Sequence, residues 1–167
     1  PVLRELLLVH VAREAETPDQ VVARELDGGL AHAPVGLAAL LEQREAEARY
    51  GAAKDVPGVV ILTTLGTGIG SAFLLDGNLL PNSELGHLEI DGHAAEDRAA
   101  SSVKELEGLS YPEWAQRLTV YYRTLEKLFS PDLFVVGGGV SKDADEFMHL
   151  IGIETEIVPA KLENRAG

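Results

Sequence analysis

Residues 63–93, with the sequence TTLGTGIGSAFLLDGNLLPNSELGHLEIDGH, decide the fold of this 167-residue chain. A glycine-rich turn at 66–70 stands between two apolar runs. Glycines in such a turn let the backbone double back and let its N–H groups approach a phosphate. A polar cluster of Glu84, His87 and Glu89 follows, and carboxylates and neutral imidazoles hydrogen-bond well to sugar hydroxyls. Together the two features favour phosphoryl transfer to a polyol.

Strand and helix signals alternate along the rest of the chain, which favours an α/β layered domain. Short apolar runs predict strands at residues 59–62, 71–75, 78–80, 88–90, 133–136 and 156–158, with a hairpin at Asp76-Gly77. Helical spacing and capping residues predict helices at 17–26, 35–50, 94–107 and 111–129, and one capped by Ser141 that runs to 150. In the 111–129 helix an apolar stripe is expected to pack in the core, and it consists of Trp114, Leu118, Tyr121, Tyr122, Leu125 and Leu128.

A second glycine turn, formed by Gly137, Gly138 and Gly139, follows the predicted strand 133–136. Ligands of α/β sheets sit at such carboxyl ends, facing a helix N-terminus. For each turn the alternative is purely structural: a tight hairpin at 66–70, and close strand–helix packing at 137–139. The turn at 66–70 is neither a dinucleotide-binding fingerprint nor a P-loop, because it stands between two predicted strands and no Gly-Lys-Ser/Thr follows it. Two such turns in one domain favour phosphate binding more than either does alone.

A zinc site is the rival interpretation of the polar cluster. Its spacing is not His-Glu-x-x-His, and the chain has no cysteine. The ligand count therefore falls short of four unless His93 joins the cluster. An ordinary polar turn on the surface is the third interpretation.

The formal net charge of −13 limits the partners. Nucleic acids and anionic membranes need broad basic surfaces, so both are disfavoured. A small polyanion needs only backbone N–H groups and one or two cations, and the candidate cations are Arg98, Lys104, Lys142 and Lys161. No apolar run is long enough to span a bilayer, and residues 6–11 lack the features of a signal peptide. The absence of cysteine fits a cytoplasmic protein.

Several segments together resemble one protein family. TLGTGIGSAFLLDGNLLPNSELGHLEI, at residues 64–90, is followed in order by GHAAEDRAASSVKE, YPEWAQ, PDLFVVGGGVSK and VPAKLENRAG. Over residues 46–167 the chain resembles the polyphosphate glucokinase branch of the family of bacterial repressors, uncharacterised open reading frames and sugar kinases (the ROK family). The resemblance implies the two-domain actin-like ATPase fold of the ribonuclease H-like type and a homodimer. It also implies Mg²⁺-dependent transfer of phosphate from polyphosphate or ATP to the 6-hydroxyl of glucose.

The resemblance assigns roles to matching residues. Glu84 and His87 fit the family's Glu-x-Gly-His sugar motif, and Glu96 fits a later sugar-binding glutamate; this motif does not discriminate closely among hexoses. Many relatives carry a cysteine-rich zinc motif between His87 and Glu96, and its absence here implies no structural zinc. The donor-phosphate loops correspond to Gly66, Thr67, Gly68 and Gly70, and to Gly137, Gly138 and Gly139.

The segment before residue 46 departs from the family pattern. The position of the family's general-base aspartate falls on Ala39, and no Asp-x-Gly-Gly phosphate motif precedes it. We interpret residues 1–45 as a divergent, mostly helical part of an incomplete N-terminal domain. Residues 46–167 are then the sugar-kinase-like α/β domain without its terminal helix, which indicates a truncated or rearranged family member. An alanine accepts no proton, so we expect weak or absent kinase activity from this chain alone, with no catalytic residue of its own.

Two other function classes compete with the kinase. A non-catalytic sugar-binding or dimerisation fragment of the same family would also lack the base aspartate, and glucose binding without turnover would identify it. A transcriptional repressor of the same fold would carry a basic helix-turn-helix before residue 46. That segment is acidic, so the repressor is disfavoured.

Overall fold

The computed structural model of the chain describes residues 51–80 and 83–161. The helices predicted at 17–26 and 35–50, the N-terminal segment 1–45 and Ala39 lie outside these residues. They stay predictions. In the described part, no helix is long and apolar enough to cross a membrane.

A five-stranded mixed sheet forms the centre of the described part. Its strands and those of a separate two-stranded ribbon are numbered along the chain as β1 (Val59–Leu65), β2 (Ile69–Leu75), β3 (Asn78–Leu80), β4 (Glu89–Ile90), β5 (His93–Ala94), β6 (Leu133–Gly137) and β7 (Ile157–Pro159). The order in the sheet is β3-β2-β1-β6-β7, and β4 pairs with β5. All six strands predicted from the sequence are therefore confirmed, with small shifts at their ends.

The hairpin predicted at Asp76-Gly77 is confirmed and has the expected backbone. Both residues have positive φ, 49° for Asp76 and 78° for Gly77, as in the turn that best matches the twist of two antiparallel strands. Asp76 Oδ1 also accepts a hydrogen bond from the Gly58 N–H at 2.8 Å. The carboxylate therefore ties the end of β2 to the start of β1.

The central strands β1 and β6 are parallel, with Thr64 opposite Gly137 at their carboxyl ends. At the other end, Asp132 Oδ2 accepts a hydrogen bond from the Val59 N–H at 2.8 Å. Both strands therefore end at the same edge of the sheet, and each runs directly into a glycine turn. Parallel sheets place ligands at such an edge.

The helix predicted at 94–107 is wrong as a single element. The chain instead forms β5, then α1 (Glu96–Ala99) and α2 (Ser101–Glu107). Ala100 between the two helices is extended, with ψ 151°. After this break, the start of α2 contacts the loop that follows β1. Ser101 Oγ and the Ser102 N–H both donate to the Gly66 carbonyl, at 3.0 and 3.1 Å.

The longest helix, α3 (Tyr111–Phe129), begins and ends where the sequence predicts. A capping box between Ser110 and Glu113 fixes its start. The predicted stripe is buried except for Leu128, whose exposed fraction of 56% makes that prediction wrong. Phe129, one position further along the helix, contacts the sheet instead, and its ring centre lies 4.7 Å from that of Phe73 in β2.

The helix predicted from Ser141 to residue 150 is also wrong. One α-helical turn, α4 (Ala144–Phe147), stands between the 3₁₀ turns Gly139–Asp143 and Met148–Leu150. Ser141 does not cap a helix, because its Oγ donates back to the Gly138 carbonyl at 2.7 Å. The same carbonyl accepts the Ser141 N–H at 3.0 Å, which is the tight bond pattern of a 3₁₀ turn.

The sheet separates two apolar cores, and β1 contributes alternate residues to each. Ile61 and Leu65 belong to the core that packs on α3, while Val60 and Leu62 belong to the other. Thr63 is fully buried, and its Oγ1 lies 2.6 Å from the Tyr122 hydroxyl. This bond satisfies two buried polar groups that would otherwise destabilise the core. Burial raises the pKa of Tyr122 well above its usual range.

Candidate functional site

A turn at residues 83–87, called here the His87 turn, is held against β2 by two serines. Ser71 Oγ accepts a hydrogen bond from the Leu85 N–H at 2.8 Å and donates one to the Ser83 carbonyl at 3.1 Å. Ser83 Oγ donates in return to the Ser71 carbonyl at 3.2 Å. Because Ser71 is fully buried, these bonds give Glu84 and His87 a fixed support.

Gly86, the glycine of the Glu-x-Gly-His motif, is required by the packing of this turn. A Cβ at this position would overlap the Ile69 carbonyl oxygen and would lie 3.1 Å from Glu96 Oε2. Only glycine permits so close an approach of two backbone segments. It lets the His87 turn lie directly on the first residue of β2 and beside Glu96.

The carboxylate of Glu96 joins the His87 turn to the end of the glycine loop. Glu96 Oε1 lies 3.3 Å from His87 Nδ1, and Glu96 Oε2 accepts a hydrogen bond from the Ile69 N–H at 3.0 Å. Ile69 begins β2 directly after the loop. The contact with Glu96 needs a proton on Nδ1, and in a neutral ring that leaves Nε2 as an acceptor. The His87 side chain is 68% exposed, so it is open to a ligand.

The other acids and histidines of the predicted polar cluster are placed differently. Glu84 is exposed, and within the described part its carboxylate forms no hydrogen bond or ion pair. Glu89 is exposed on β4, and His93 Nε2 lies 2.8 Å from Arg98 Nη2 rather than near His87. Among residues 51–80 and 83–161, no group of three or more His, Cys, Asp or Glu side chains could hold a metal ion.

The loop between β1 and β2, at residues 66–68, is anchored on α2. The Gly66 N–H donates to the Gly68 carbonyl at 3.0 Å, and the Gly66 carbonyl accepts two bonds from Ser101 and Ser102. Ser102 Oγ donates to the Thr67 carbonyl at 2.7 Å. The N–H groups of Thr67 and Gly68 donate to no atom of the described part. They are the donors that this loop offers to an anion.

The triple glycine after β6 contains one residue that the packing requires and one that it does not. Gly138 has φ +91°, and a Cβ there would lie 2.5 Å from the Leu65 carbonyl oxygen. Backbone of this kind is restricted almost entirely to glycine. At Gly139, by contrast, nothing lies within 4 Å of an added Cβ. Gly138 lets the backbone after β6 pack directly against Leu65 of β1. At position 139, no contact within the described part requires a glycine.

The two glycine turns meet in one cleft of about 270 Å³, called here the glycine cleft. Of the predicted loop residues, Gly66 and Gly139 line it, and Gly70 lies within β2 opposite Thr64. The other predicted loop residues do not line it, and they are Thr67, Gly68, Gly137 and Gly138. Of the predicted cations, Lys104 and Lys142 line it, and Arg98 and Lys161 do not. The full lining is Leu65, Gly66, Ser101, Lys104, Glu105, Tyr111, Gly139, Val140, Lys142 and Asp143.

The charged groups of the glycine cleft are arranged around Tyr111. The Lys104 ammonium lies 4.2 Å from the centre of the Tyr111 ring, a favourable distance for a cation–π contact. Burial and an interaction with Asp143 raise the pKa of Tyr111. Of the ion pairs between described residues, none includes Lys104 or Lys142.

A second cavity of about 340 Å³ lies beside α1 and α3. It is larger than the glycine cleft, but its walls are mainly apolar, and none of Glu84, His87 and Glu96 lines it. The predicted cation Arg98 lies in this wall, as does Arg117. Arg117 is already paired with Glu107 at 2.5 Å. The carboxylate–imidazole pair of Glu96 and His87 lines neither cavity, whereas residues of both glycine turns line the glycine cleft.

Sequence reasoning missed the residues that hold the site in place. Four serines hold the His87 turn and the glycine loop in place, and they are Ser71, Ser83, Ser101 and Ser102. The Tyr111 ring contacts the ammonium group of Lys104. Serines on either side of a motif carry no spacing signal of their own, because each bonds to a backbone atom distant in sequence. The adjacent pair Ser101-Ser102 before a helical pattern was the one local sign of an anchoring point.

Comparison with known proteins finds polyphosphate glucokinases. The chain is 52% identical over 122 residues to one from Mycobacterium tuberculosis (strain H37Rv), which is 73% of this chain and 46% of that relative. It is 50% identical to one from Mycobacterium leprae, over 73% of this chain and 38% of that relative. The chain thus spans less than half the length of the curated relatives it matches. No family model matches the chain.

Solved structures give the same relationship. An inorganic polyphosphate/ATP-glucomannokinase from Arthrobacter sp. strain KM matches with TM-score 0.72 and 56% identity, over 74% of this chain and 49% of that one. A ROK family glucokinase from Streptomyces griseus, solved with glucose and AMPPNP, matches with TM-score 0.60 and 22% identity, over 74% and 62%. The second likeness concerns the fold alone. The predicted α/β class and actin-like ATPase fold are confirmed for the part that the chain covers.

Proposed function

We propose that this chain, which is related to the polyphosphate glucokinases of the ROK family, forms the hexose-binding and donor-binding part of a sugar kinase. The reaction is transfer of a terminal phosphate from polyphosphate or ATP to the 6-hydroxyl of glucose. Mannose is a further acceptor to test, because one relative is a glucomannokinase. The homodimer and the cytoplasmic location stay predictions.

The observation that carries this proposal is the position of Glu96. One of its oxygens lies 3.3 Å from His87 Nδ1 and the other accepts the Ile69 N–H that follows the glycine loop. A hexose bound at the His87 turn would therefore lie beside the loop that offers N–H groups to a phosphate. Phosphoryl transfer needs this adjacency, because most of its catalysis consists of positioning and charge stabilisation.

The side chains have distinct tasks in this proposal. The Glu84 and Glu96 carboxylates accept hydrogen bonds from sugar hydroxyls, and His87 Nε2 accepts a further one. The free N–H groups of Thr67 and Gly68 donate to the phosphate oxygens on which negative charge develops. Preorganised donors of this kind act without reorganisation at the moment of transfer.

Mg²⁺ is the metal expected with such donors, and the cleft offers ligands that suit it. Asp143 and Glu105 are the two carboxylates in the lining of the glycine cleft, and Mg²⁺ prefers carboxylate oxygens together with substrate phosphates. These two residues would hold a Mg²⁺ that arrives with the donor. When bound, the ion neutralises part of the negative charge of the phosphates.

The proton of the sugar 6-hydroxyl has no assigned acceptor in this chain. The resemblance places the general base at residue 39, which is alanine. Loss of a general base lowers the rate by about 10²–10⁴, so slow turnover is expected from this chain alone. The same alanine favours a second candidate function, hexose binding without phosphoryl transfer.

The test is formation of glucose 6-phosphate by the purified chain with Mg²⁺, supplied with polyphosphate or ATP in parallel. Ala39→Asp is the decisive variant, and we expect it to raise the rate by about 10²–10⁴ because it supplies a carboxylate base. His87→Ala should abolish glucose binding, and His149→Ala, at an exposed histidine outside both sites, is the matched control.

Each result separates the candidates. Slow turnover that Ala39→Asp accelerates and His87→Ala abolishes supports the impaired kinase. Glucose binding with no turnover in either form supports the non-catalytic function. Fast turnover by the unmodified chain would show that residue 39 is not the position of the base, and absence of glucose binding in a folded sample would refute both functions.

A further inference from the structure

The glycine cleft holds two lysines that form no ion pair with an acid of the described part. Lys104 projects from α2, and Lys142 belongs to the 3₁₀ turn Gly139–Asp143 after β6. Both line the cleft, and neither takes part in an ion pair between described residues. Two lysines from separate elements on one small cleft, in a chain of net charge −13, indicate a local site for negative charge.

The first of these lysines is held in place by an aromatic ring. Lys104 Nζ lies 4.2 Å from the centre of the Tyr111 ring. The ring is itself held in place, because it stacks on Phe147 with 6.0 Å between the two ring centres. A cation over an aromatic face loses less freedom when it binds an anion than a lysine that moves freely in solvent.

The charge of the lining suits a phosphate chain that carries a divalent cation. Lys104 and Lys142 are balanced in number by Glu105 and Asp143, so a bare polyanion would meet both attraction and repulsion. A magnesium phosphate chain presents oxygens to the ammonium groups and its metal to the carboxylates. Gly66 and Gly139, where nothing lies within 4 Å of an added Cβ, leave space for it in the cleft.

We propose that Lys104 and Lys142, which belong to two separate elements, are donor-binding residues that hold neighbouring phosphates of a linear inorganic polyphosphate, and that Tyr111 positions Lys104. The proposal rests on the proposed function, since it concerns the donor side of the same site. It adds the residues that recognise the chain. Lysine contacts act as point charges on phosphate oxygens and need no nucleoside.

The test measures binding rather than turnover, so it does not depend on residue 39. Calorimetric titration of the full chain with magnesium tripolyphosphate gives the reference affinity. Lys104→Gln and Lys142→Gln should each weaken it about tenfold, the loss of one charged hydrogen bond. Each should also lower the slope of log affinity against log salt by about one. Lys127→Gln, at an exposed lysine of α3 outside the cleft, should change neither quantity.

Two Tyr111 variants separate positioning from folding. Tyr111→Phe keeps the ring and should keep the affinity for tripolyphosphate close to the reference, whereas Tyr111→Leu should lower it towards that of Lys104→Gln. Equal loss in both would assign the effect to the hydroxyl and would overturn the positioning role. Unchanged affinity in both lysine variants would overturn the whole proposal.

Parallel titrations with ATP and glucose identify the ligand and isolate the proposal from the proposed function. Tighter binding of tripolyphosphate than of ATP supports an inorganic chain, and tighter binding of ATP contradicts it. If glucose binds but tripolyphosphate does not, the lysine assignment fails while the hexose site stands. If tripolyphosphate binds through the lysines but glucose does not, the assignment stands and the sugar-kinase function fails.

Discussion

The His87 turn and the glycine cleft are built in different ways. In the His87 turn the polar groups bond one another: Ser71 holds the Leu85 N–H at 2.8 Å, and Glu96 lies 3.3 Å from His87. In the glycine cleft, Lys104 and Lys142 pair with no acid of the described part. A site whose groups are already bonded is organised before its ligand arrives. Unpaired cations around open space gain their partners when a ligand binds.

Glycine has a different purpose in each region. Gly86 lets the His87 turn lie on β2, where any side chain would overlap backbone. In the cleft, Gly138 closes the turn after β6, but its neighbour Gly139 has nothing within 4 Å of an added Cβ. A glycine with no packing reason of its own marks space that a ligand can use. Substituting each of these two adjacent glycines is therefore the most direct test of the difference between the two regions.

The largest effect is expected for Gly138→Ala. The substitution places a Cβ 2.5 Å from the Leu65 carbonyl oxygen at φ +91°. Backbone strain and overpacking together should lower the free energy of unfolding by about 2–5 kcal/mol. Gly139→Ala is the matched control, and its free energy of unfolding should stay within about 0.5 kcal/mol of the reference. Urea denaturation followed by circular dichroism measures both, and equal losses would contradict the distinction.

Gly86→Ala should have the next largest effect, confined to the His87 turn, where we propose that glucose binds. The added methyl overlaps the Ile69 carbonyl oxygen, and forcing the turn away from β2 should cost about 1–3 kcal/mol in the free energy of unfolding. It also separates His87 from Glu96, so glucose affinity should fall while tripolyphosphate affinity holds. Calorimetry with both ligands checks this, and a parallel loss of both affinities would show that the two regions are not independent.

The sequence was sufficient for the sheet, because strands of β-branched residues bounded by glycine carry their own signal. The polar pattern grouped His87 with Glu84 and Glu89, whereas the structure places the carboxylate of Glu96 beside it. The sequence was not sufficient where tertiary contacts decide. Ala100 breaks a helix with no proline or glycine nearby, because Ser101 and Ser102 bond to the loop at Gly66. Gly138 and Gly139 look identical in sequence, and only the neighbouring strand distinguishes them.

The effect expected for Ser71→Ala is no larger than that of Gly86→Ala. Its hydroxyl is fully buried and serves the Leu85 N–H and the Ser83 carbonyl. Its removal leaves these backbone groups without a partner, at a cost of about 1–3 kcal/mol in the free energy of unfolding. Glucose affinity should fall with the loosened turn. Ser71→Cys keeps a weak donor and acceptor, so its glucose affinity should lie between that of the unmodified chain and that of Ser71→Ala. An unchanged glucose affinity in Ser71→Ala would show that this serine does not support the site.

Ser102→Ala is the counterpart at the glycine loop, where we propose that the phosphate donor binds, and it should have the smallest effect on stability. Its Oγ donates to the Thr67 carbonyl at 2.7 Å in an exposed position, and its N–H keeps the bond to Gly66. Because water can replace an exposed partner, the free energy of unfolding should fall by less than about 1 kcal/mol. Yet Thr67 carries one of the free N–H groups, so a loosened loop should weaken tripolyphosphate binding while glucose binding is unaffected. If instead glucose affinity fell and tripolyphosphate affinity did not, the loop would belong to the hexose side through Glu96. That result would contradict the distinction between the His87 turn as an organised site and the glycine cleft as an open one.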